Sequence, residues 1–210
     1  MRPEKTRANL LKAAQHVFSE VGYSGARVDE IARRARANKA MIYYHFGTKE
    51  ELYQTVLLEL FGGVLDEVKR LEREVTDPHE RLLAFYAGLA GAFAQHRQLP
   101  RIMMREVLAG GTHMDRAAAE LLGAIIRFVG ACIAQGAAAG TLRSVNPVLV
   151  HLTMIGPILL FFVSEPFRAR LLPGALPEVP APTQDELVGH LRDLLACILG
   201  RERTRHDGGS

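Results

Sequence analysis

The chain has 210 residues, enough for one large or two small domains with a real core, and its 48% hydrophobic content is ordinary for a soluble protein. Two cysteines do not make a disulfide scaffold, and the net charge of +3 is small. No basic stretch followed by an apolar run opens the chain, so no signal peptide is read and a cytoplasmic location is expected. The charge is uneven: residues 1–50 hold ten Lys or Arg against five Asp or Glu, whereas residues 51–210 hold sixteen against eighteen. The basic excess lies in the first quarter, where it can attract a polyanion. Cys132 and Cys197 both fall in apolar helical patterns and are expected as buried, reduced thiols.

Helical periodicity and helix caps recur from end to end with no strand ladder, which predicts an all-α chain. A first helix runs from about Thr6 to Val21, with Leu10, Leu11, Ala14, Val17, Phe18 and Val21 on one stripe and Gly22 as its stop. Val28, Ile31, Ala32 and Ala35 make a shorter second helix. Asn38 caps a third that reaches about Phe46, and Gly47 breaks it. Thr48 to Glu51 reads as a capping box for a long fourth helix, carried to Leu71 by apolar residues at steps of three and four. Asp77-Pro78 opens a helix to about Gln95, and further helices are expected over 100–109 and 114–139. Asn146-Pro147 opens a very apolar helix to about 165. Val148 to Val163 could pass for a membrane span, but His151 and Gly156-Pro157 interrupt it below about 18 apolar residues, so a core or interface helix is expected and no membrane partner. Pro173 to Pro182 is read as a surface loop, Thr183 to Glu186 as a second capping box, and 184–199 as the last helix. The tail, Arg201 to Ser210, is expected to be disordered.

The segment Ala35 to Lys49 gathers Lys39, Tyr43, Tyr44, His45 and Lys49 around an apolar seam of Ile42 and Phe46, a pattern suited to a helix that packs on one face and meets DNA on the other. Residues 7–56 closely resemble the DNA-binding domain of the TetR family of transcriptional regulators. The resemblance rests on Leu10 to Ala14, Phe18, Gly22-Tyr23, Val28, Ile31-Ala32, Ala35, Lys39, Ile42-Tyr43, His45-Phe46, Lys49-Glu50 and Leu52. It implies a three-helix helix-turn-helix head over 1–48 and a larger helical regulatory and dimerisation domain over 49–200. Lys39, Ala40 and Tyr44 are assigned to base readout, Asn38 is counted among the DNA-contacting residues as well as the helix cap, and Tyr43 and His45 match family positions that hold phosphate. Lys49 sits where a helix terminus can grip a phosphate, and Met41 is either groove edge or core filler. Arg33 and Arg34 read as the solvated face of helix two. Two departures stand out. Ala26-Arg27 replaces the Thr or Ser that usually caps helix two, leaving Arg27 as a phosphate contact of its own kind, and Arg36 replaces the turn glycine, which requires positive φ or another turn.

The resemblance further implies a homodimer on a palindromic double-stranded operator, paired through the last two long helices, whose apolar faces exceed what one helical layer buries. It also implies a small-molecule inducer bound beside helix four. Candidate lining residues are Phe61, Phe85, Phe93, His96, Met103, Met104, Phe128, His151, Met154 and Phe161, all of which a plain core could equally use. Arg105 and Glu106 lie in an otherwise apolar helix and pair either with neighbours or with a ligand. His96, Glu106, His113 and His151 lack metal-ligand spacing, so no metal and no cofactor are expected. No nucleophile-base or paired-acid constellation marks an enzyme. An activator, a ligand-independent regulator and, remotely, a helical enzyme are the alternatives to a ligand-released repressor.

Overall fold

The computed structural model describes residues 3–200. The expectation for the tail, 201–210, lies outside them. Ten helices follow in order among the described residues: α1 (Pro3–Gly25), α2 (Val28–Arg34), α3 (Lys39–Phe46), α4 (Lys49–Glu74), α5 (Pro78–Gln95), α6 (Gln98–Leu108), α7 (Arg116–Ala138), α8 (Pro147–Val163), α9 (Glu165–Ala175) and α10 (Gln184–Leu199). No strand occurs among them.

The helix boundaries follow local chemistry. Asn38 accepts the amide of Ala40, and Thr48 and Glu51 exchange the two bonds of a capping box. Asp77 accepts the amide of Glu80 ahead of Pro78, and Thr183 and Glu186 repeat the box before α10. Gly47 sits at φ 78°, and a Cβ there would come within 2.2 Å of the Glu51 carboxylate that closes the box, so the sharp turn between α3 and α4 needs glycine on both counts. Arg27, at the N-cap of α2, has extended backbone and no side-chain cap bond, so the cap that Thr or Ser would give is absent. Arg36 bears the left-handed conformation directly, at φ 53°.

Two apolar clusters form. One joins α1, α2, α3 and the first half of α4 through Leu10, Phe18, Ile31, Ile42, Leu52 and Phe61, and takes in Ile102 from α6 and Ala118 from α7. The other joins the second half of α4 to α5, α7, α8 and α10 through Leu71, Leu82, Phe85, Val129, Ile158 and Leu195. α7 is by length and apolarity the helix that could be mistaken for a membrane span. Its Ile125, Phe128, Val129, Cys132 and Ile133 are buried in the second cluster.

Two expectations are corrected. The stretch read as a loop from Pro173 begins instead at Leu176, because α9 precedes it, turned 72° from α8. None of the α9 residues is buried, so no apolar stripe marked it. Cys132 is buried but Cys197 is exposed, because it follows the inward-facing Leu195 by two residues and so points away from the core. The outward face of α8 is apolar, with Leu149 64% exposed and Leu152 and Leu160 comparably so; on α10, Leu187, Leu191, Leu195 and Leu199 are buried, while Val188, Leu194 and Ile198 are half-buried. The larger share of the exposed apolar surface on these two helices lies on α8.

Candidate DNA interface and ligand cavity

α3 is held from beneath by buried Ile42 and Phe46, which fixes what it turns outward. Tyr44 is 77% exposed and Tyr43 49%, and Asn38, Lys39 and Ala40 are exposed beside them. Lys39 pairs with Asp29 at 2.9 Å, both side chains open to solvent. Such a pair contributes little and exchanges readily for a phosphate. Met41 is half-buried and packs against the head cluster, which favours the filler reading. The Oδ1 of Asn38 is engaged as the cap of α3. His45 is half-buried against Tyr44, and its Nε2 is buried without a partner among the described residues. Lys49 stands at the first turn of α4 with its ammonium 4.4 Å from the centre of the Tyr23 ring, and partial burial lowers its affinity for a proton.

Around this face the cations divide. Arg27 and Arg36 are exposed. Arg33 and Arg34 are tied down: both guanidiniums bond Glu30, and Arg34 reaches Glu20 of α1 at 2.8 Å. Together they hold the Glu30 carboxyl at a pKa of about 2. Arg7, which the sequence pattern does not single out, is exposed and lies over the Phe46 ring at 5.1 Å, beside the C-terminal end of α3. Nothing in its spacing marks it, because the contact joins two helices.

The head is clamped to the rest of the chain by α6. Tyr53 of α4, fully buried, donates to Glu106 Oε1 at 2.5 Å, and the Nδ1 of His113 lies 3.2 Å from the same oxygen. Burial, with the Glu106 carboxylate beside it, pushes the Tyr53 phenol far above its usual range, so it stays the donor. Glu106 is 5% exposed and its Oε2 has no partner among the described residues. Gln54 donates to the His113 carbonyl at 2.6 Å. The His113 ring packs on Tyr23 at 4.6 Å. Arg105 donates to the carbonyls of Ser19, at 3.1 Å, and Glu20, at the end of the regular part of α1. The open question over Arg105 and Glu106 thus resolves toward neighbours: both bond the head.

A cavity of about 680 Å³ opens between α4, α5, α6, α7 and α8, and Gln15 of α1 reaches its wall. Six of the ten sequence candidates line it: Phe61, Phe85, Phe93, His96, Met103 and His151. Phe128 and Met154 are buried in the second cluster, Met104 packs against that cluster, and Phe161 lines a separate groove of about 450 Å³ beside α9 under the guanidinium of Arg168. The glycines Gly63, Gly88 and Gly91 also line the larger cavity, and nothing in their sequence pattern singles them out. His151 is 7% exposed; its Nδ1 lies 3.2 Å from the Tyr86 hydroxyl, and burial pulls its pKa down to about 4, so it is neutral at pH 7. Gln98 lines the cavity and its amide nitrogen lies 3.0 Å from the His16 ring of α1. Among the described residues no cluster of three or more His, Cys, Asp or Glu is placed to hold a metal.

Comparison with known proteins agrees with this geometry. Residues 10–56 match the family described as "Bacterial regulatory proteins, tetR family". The chain is 30% identical over 164 residues to the HTH-type transcriptional repressor NicS of Pseudomonas putida, covering 77% of each protein. It is 41% identical over 81 residues to the HTH-type transcriptional activator FasR of Mycolicibacterium smegmatis, covering 39% of this chain and 37% of that one. The fold superposes on the transcriptional regulator FadR of Bacillus subtilis, solved in complex with stearoyl-CoA, with a TM-score of 0.69 at 17% identity, covering 90% of this chain and 96% of that one. The helix-turn-helix head, the α4 junction and a relative matched over most of both lengths together place the chain in the TetR family of bacterial transcriptional regulators.

Proposed function

We propose that this chain is a homodimeric repressor that binds a palindromic double-stranded operator and is released by a small molecule. The observation that carries the reading is that one helix, α4, starts at the exposed α3 face and ends as a wall of the cavity. The head, 1–48, reads DNA, and the helical domain, 49–200, senses and pairs. Lys39, Ala40 and Tyr44 meet base edges, while Tyr43, Lys49 and Arg27 hold phosphates; Asn38 caps the helix that presents them. His45 contributes through its ring face, because its Nε2 is enclosed. Arg7 and Arg36 add charge at the rim of the same surface.

One recognition helix reads too few bases for a genome, so two are needed, about 34–36 Å apart or spaced to skip a turn. The exposed apolar stripe of α8 supports pairing there, with the mostly polar outer face of α10 flanking it. A ligand in the cavity touches α1 through Gln15, α4 through Phe61 and α6 through Met103, which are the three helices that set the head's position. A ligand that prefers the DNA-incompetent arrangement by about 10⁴ would move nearly the whole population, a difference of about 5.5 kcal/mol.

The test is selection of bound duplexes from a random pool, followed by a salt series on the selected site. Recovery of an inverted repeat is expected, with affinity falling about 10³–10⁵ between 50 and 200 mM salt if six to ten phosphates are held. A selected site without symmetry, or an affinity indifferent to salt, overturns the reading. The match to FasR favours a second reading, an activator on the same fold; a reporter whose expression falls when the gene is deleted selects it.

A further inference from the structure

The wall of the larger cavity carries charge of one sign. Glu59, Gly63 and Glu67 follow at steps of four on one face of α4, and all three line the cavity. No Lys or Arg lines it among the described residues. Arg70, itself solvent-exposed, bonds Glu67 at 2.6 and 2.8 Å, so part of that charge is already answered. Glu59 has no hydrogen-bond or ion-pair partner among the described residues. A Cβ built at Gly63 of α4 or at Gly91 of α5 would meet no atom within 4 Å, so the two helices leave open space beside the carboxylates. Further in, the cavity is bounded by the rings of Phe61, Phe85 and Phe93 and by the buried imidazole of His151.

Aromatic faces attract cations, and Glu59, a solvent-exposed carboxylate without a partner at the mouth, with the half-buried Glu67 below it, gives a cation a place to enter. An anion in the same place would face the unpaired Glu59 carboxylate with no positive side chain lining the cavity, since Arg70 answers only Glu67 from outside. A neutral His151 supplies no charge against a cation and offers a hydrogen bond to a polar group on the ligand's far end. We propose that the cavity takes a cationic amphiphile: a protonated amine seated at Glu59 in the slot between α4 and α5, on an apolar body that lies among the phenylalanine rings. This rests on reading the cavity as the effector site and names the chemical class of that effector.

The experiment is calorimetric titration of the full chain with three probes of one shape: phenylhexylamine, phenylhexanol and phenylhexanoate. The amine is expected to bind at least about tenfold more tightly than the alcohol, and the acid most weakly. Glu59→Gln is expected to lower amine affinity by about tenfold and leave the alcohol within about twofold, while Gly91→Phe weakens both by filling the space they share. An acid that binds as well as the amine, a preference that survives Glu59→Gln, or no binding by any probe overturns the proposal. The same probes are then added to the protein on its selected operator. Binding of the amine with no change in operator affinity would overturn the effector reading and leave the charge preference standing. Release by some other compound, with the amine inert, would do the reverse.

Discussion

Replacing Tyr53 by Phe removes one oxygen at the point where α4 meets α6. That oxygen donates to Glu106 Oε1 at 2.5 Å in a site where Tyr53 is 1% and Glu106 5% exposed. Water cannot replace it there without opening the packing. A hydrogen bond to a charged group contributes about 1.5–3 kcal/mol, and leaving a buried acceptor short of a donor costs in the same range. His113 remains 3.2 Å from the same oxygen and offsets part of the loss, so about 1.5–2.5 kcal/mol of destabilisation is expected. For a domain of this size that corresponds to a melting temperature lower by about 3–10 °C. Removing Tyr53 and Glu106 together, in Tyr53→Phe with Glu106→Leu, leaves apolar groups in contact and the partly exposed His113 ring free to turn to water, and should recover part of that loss. Urea unfolding of the four proteins of this cycle gives the coupling directly. A Tyr53→Phe variant within 0.5 kcal/mol of the parent, or a double variant whose loss is the sum of the single ones, would refute the reasoning, since either result means that the bond does not hold the two helices together.

Three further outcomes follow from the same geometry. His151 titrates at about 4 in the folded chain against an ordinary 6.5, so folding disfavours its charged form; stability should be full above pH 6.5 and fall by up to about 3 kcal/mol as pH drops to 4, a portion that His151→Gln should remove from the measured pH profile. Arg36 carries φ 53°, so Arg36→Gly should match or exceed the parent's stability by up to about 1 kcal/mol, whereas Arg36→Val should lose about 1–2 kcal/mol in urea unfolding; a glycine variant clearly weaker than the parent would show the turn to be unstrained. Leu152→Glu with Leu160→Glu should convert the proposed dimer to monomer in sedimentation while the helical signal is retained, and unchanged sedimentation would move the interface away from α8.

The head was legible because its signals are local. The Asn38 cap, the Gly47 break and the Thr48 to Glu51 box each act within a few residues of themselves, so the type and spacing of residues determine the turn. The outward face of α3 then follows from the inward pull of Ile42 and Phe46. The cavity was only half legible for the opposite reason. Phe85, which lines it, and Phe128, which does not, sit in apolar patterns of the same kind and have ring centres 5.1 Å apart. What separates a wall from a core is missing volume, and the residues that supply it, Gly63, Gly88 and Gly91, read in sequence only as tolerated helix glycines. Glu106 gave a signal, a charge in an apolar helix, but its partner Tyr53 is 53 positions away and no period connects the two. α9 gave none, because a helix that buries nothing needs no stripe.

α4 also explains why sensing and DNA binding need not be separate parts of the chain. Leu52, Tyr53, Val56, Leu57 and Phe61 belong to the head cluster, and Val68 and Leu71 to the second one, so the same rigid element is core to both. The head cluster even borrows Ile102 from α6 and Ala118 from α7. A head built this way cannot pivot freely on a linker; it moves only as α4 and α6 move. A ligand between Phe61 and Met103 presses on this pair from the cavity side, and Tyr53→Phe loosens it from the head side. Two perturbations of one contact do not add. The Tyr53→Phe protein should therefore bind operator more weakly before any effector is present and lose less when it arrives, a pattern that distinguishes a shared lever from two independent weaknesses.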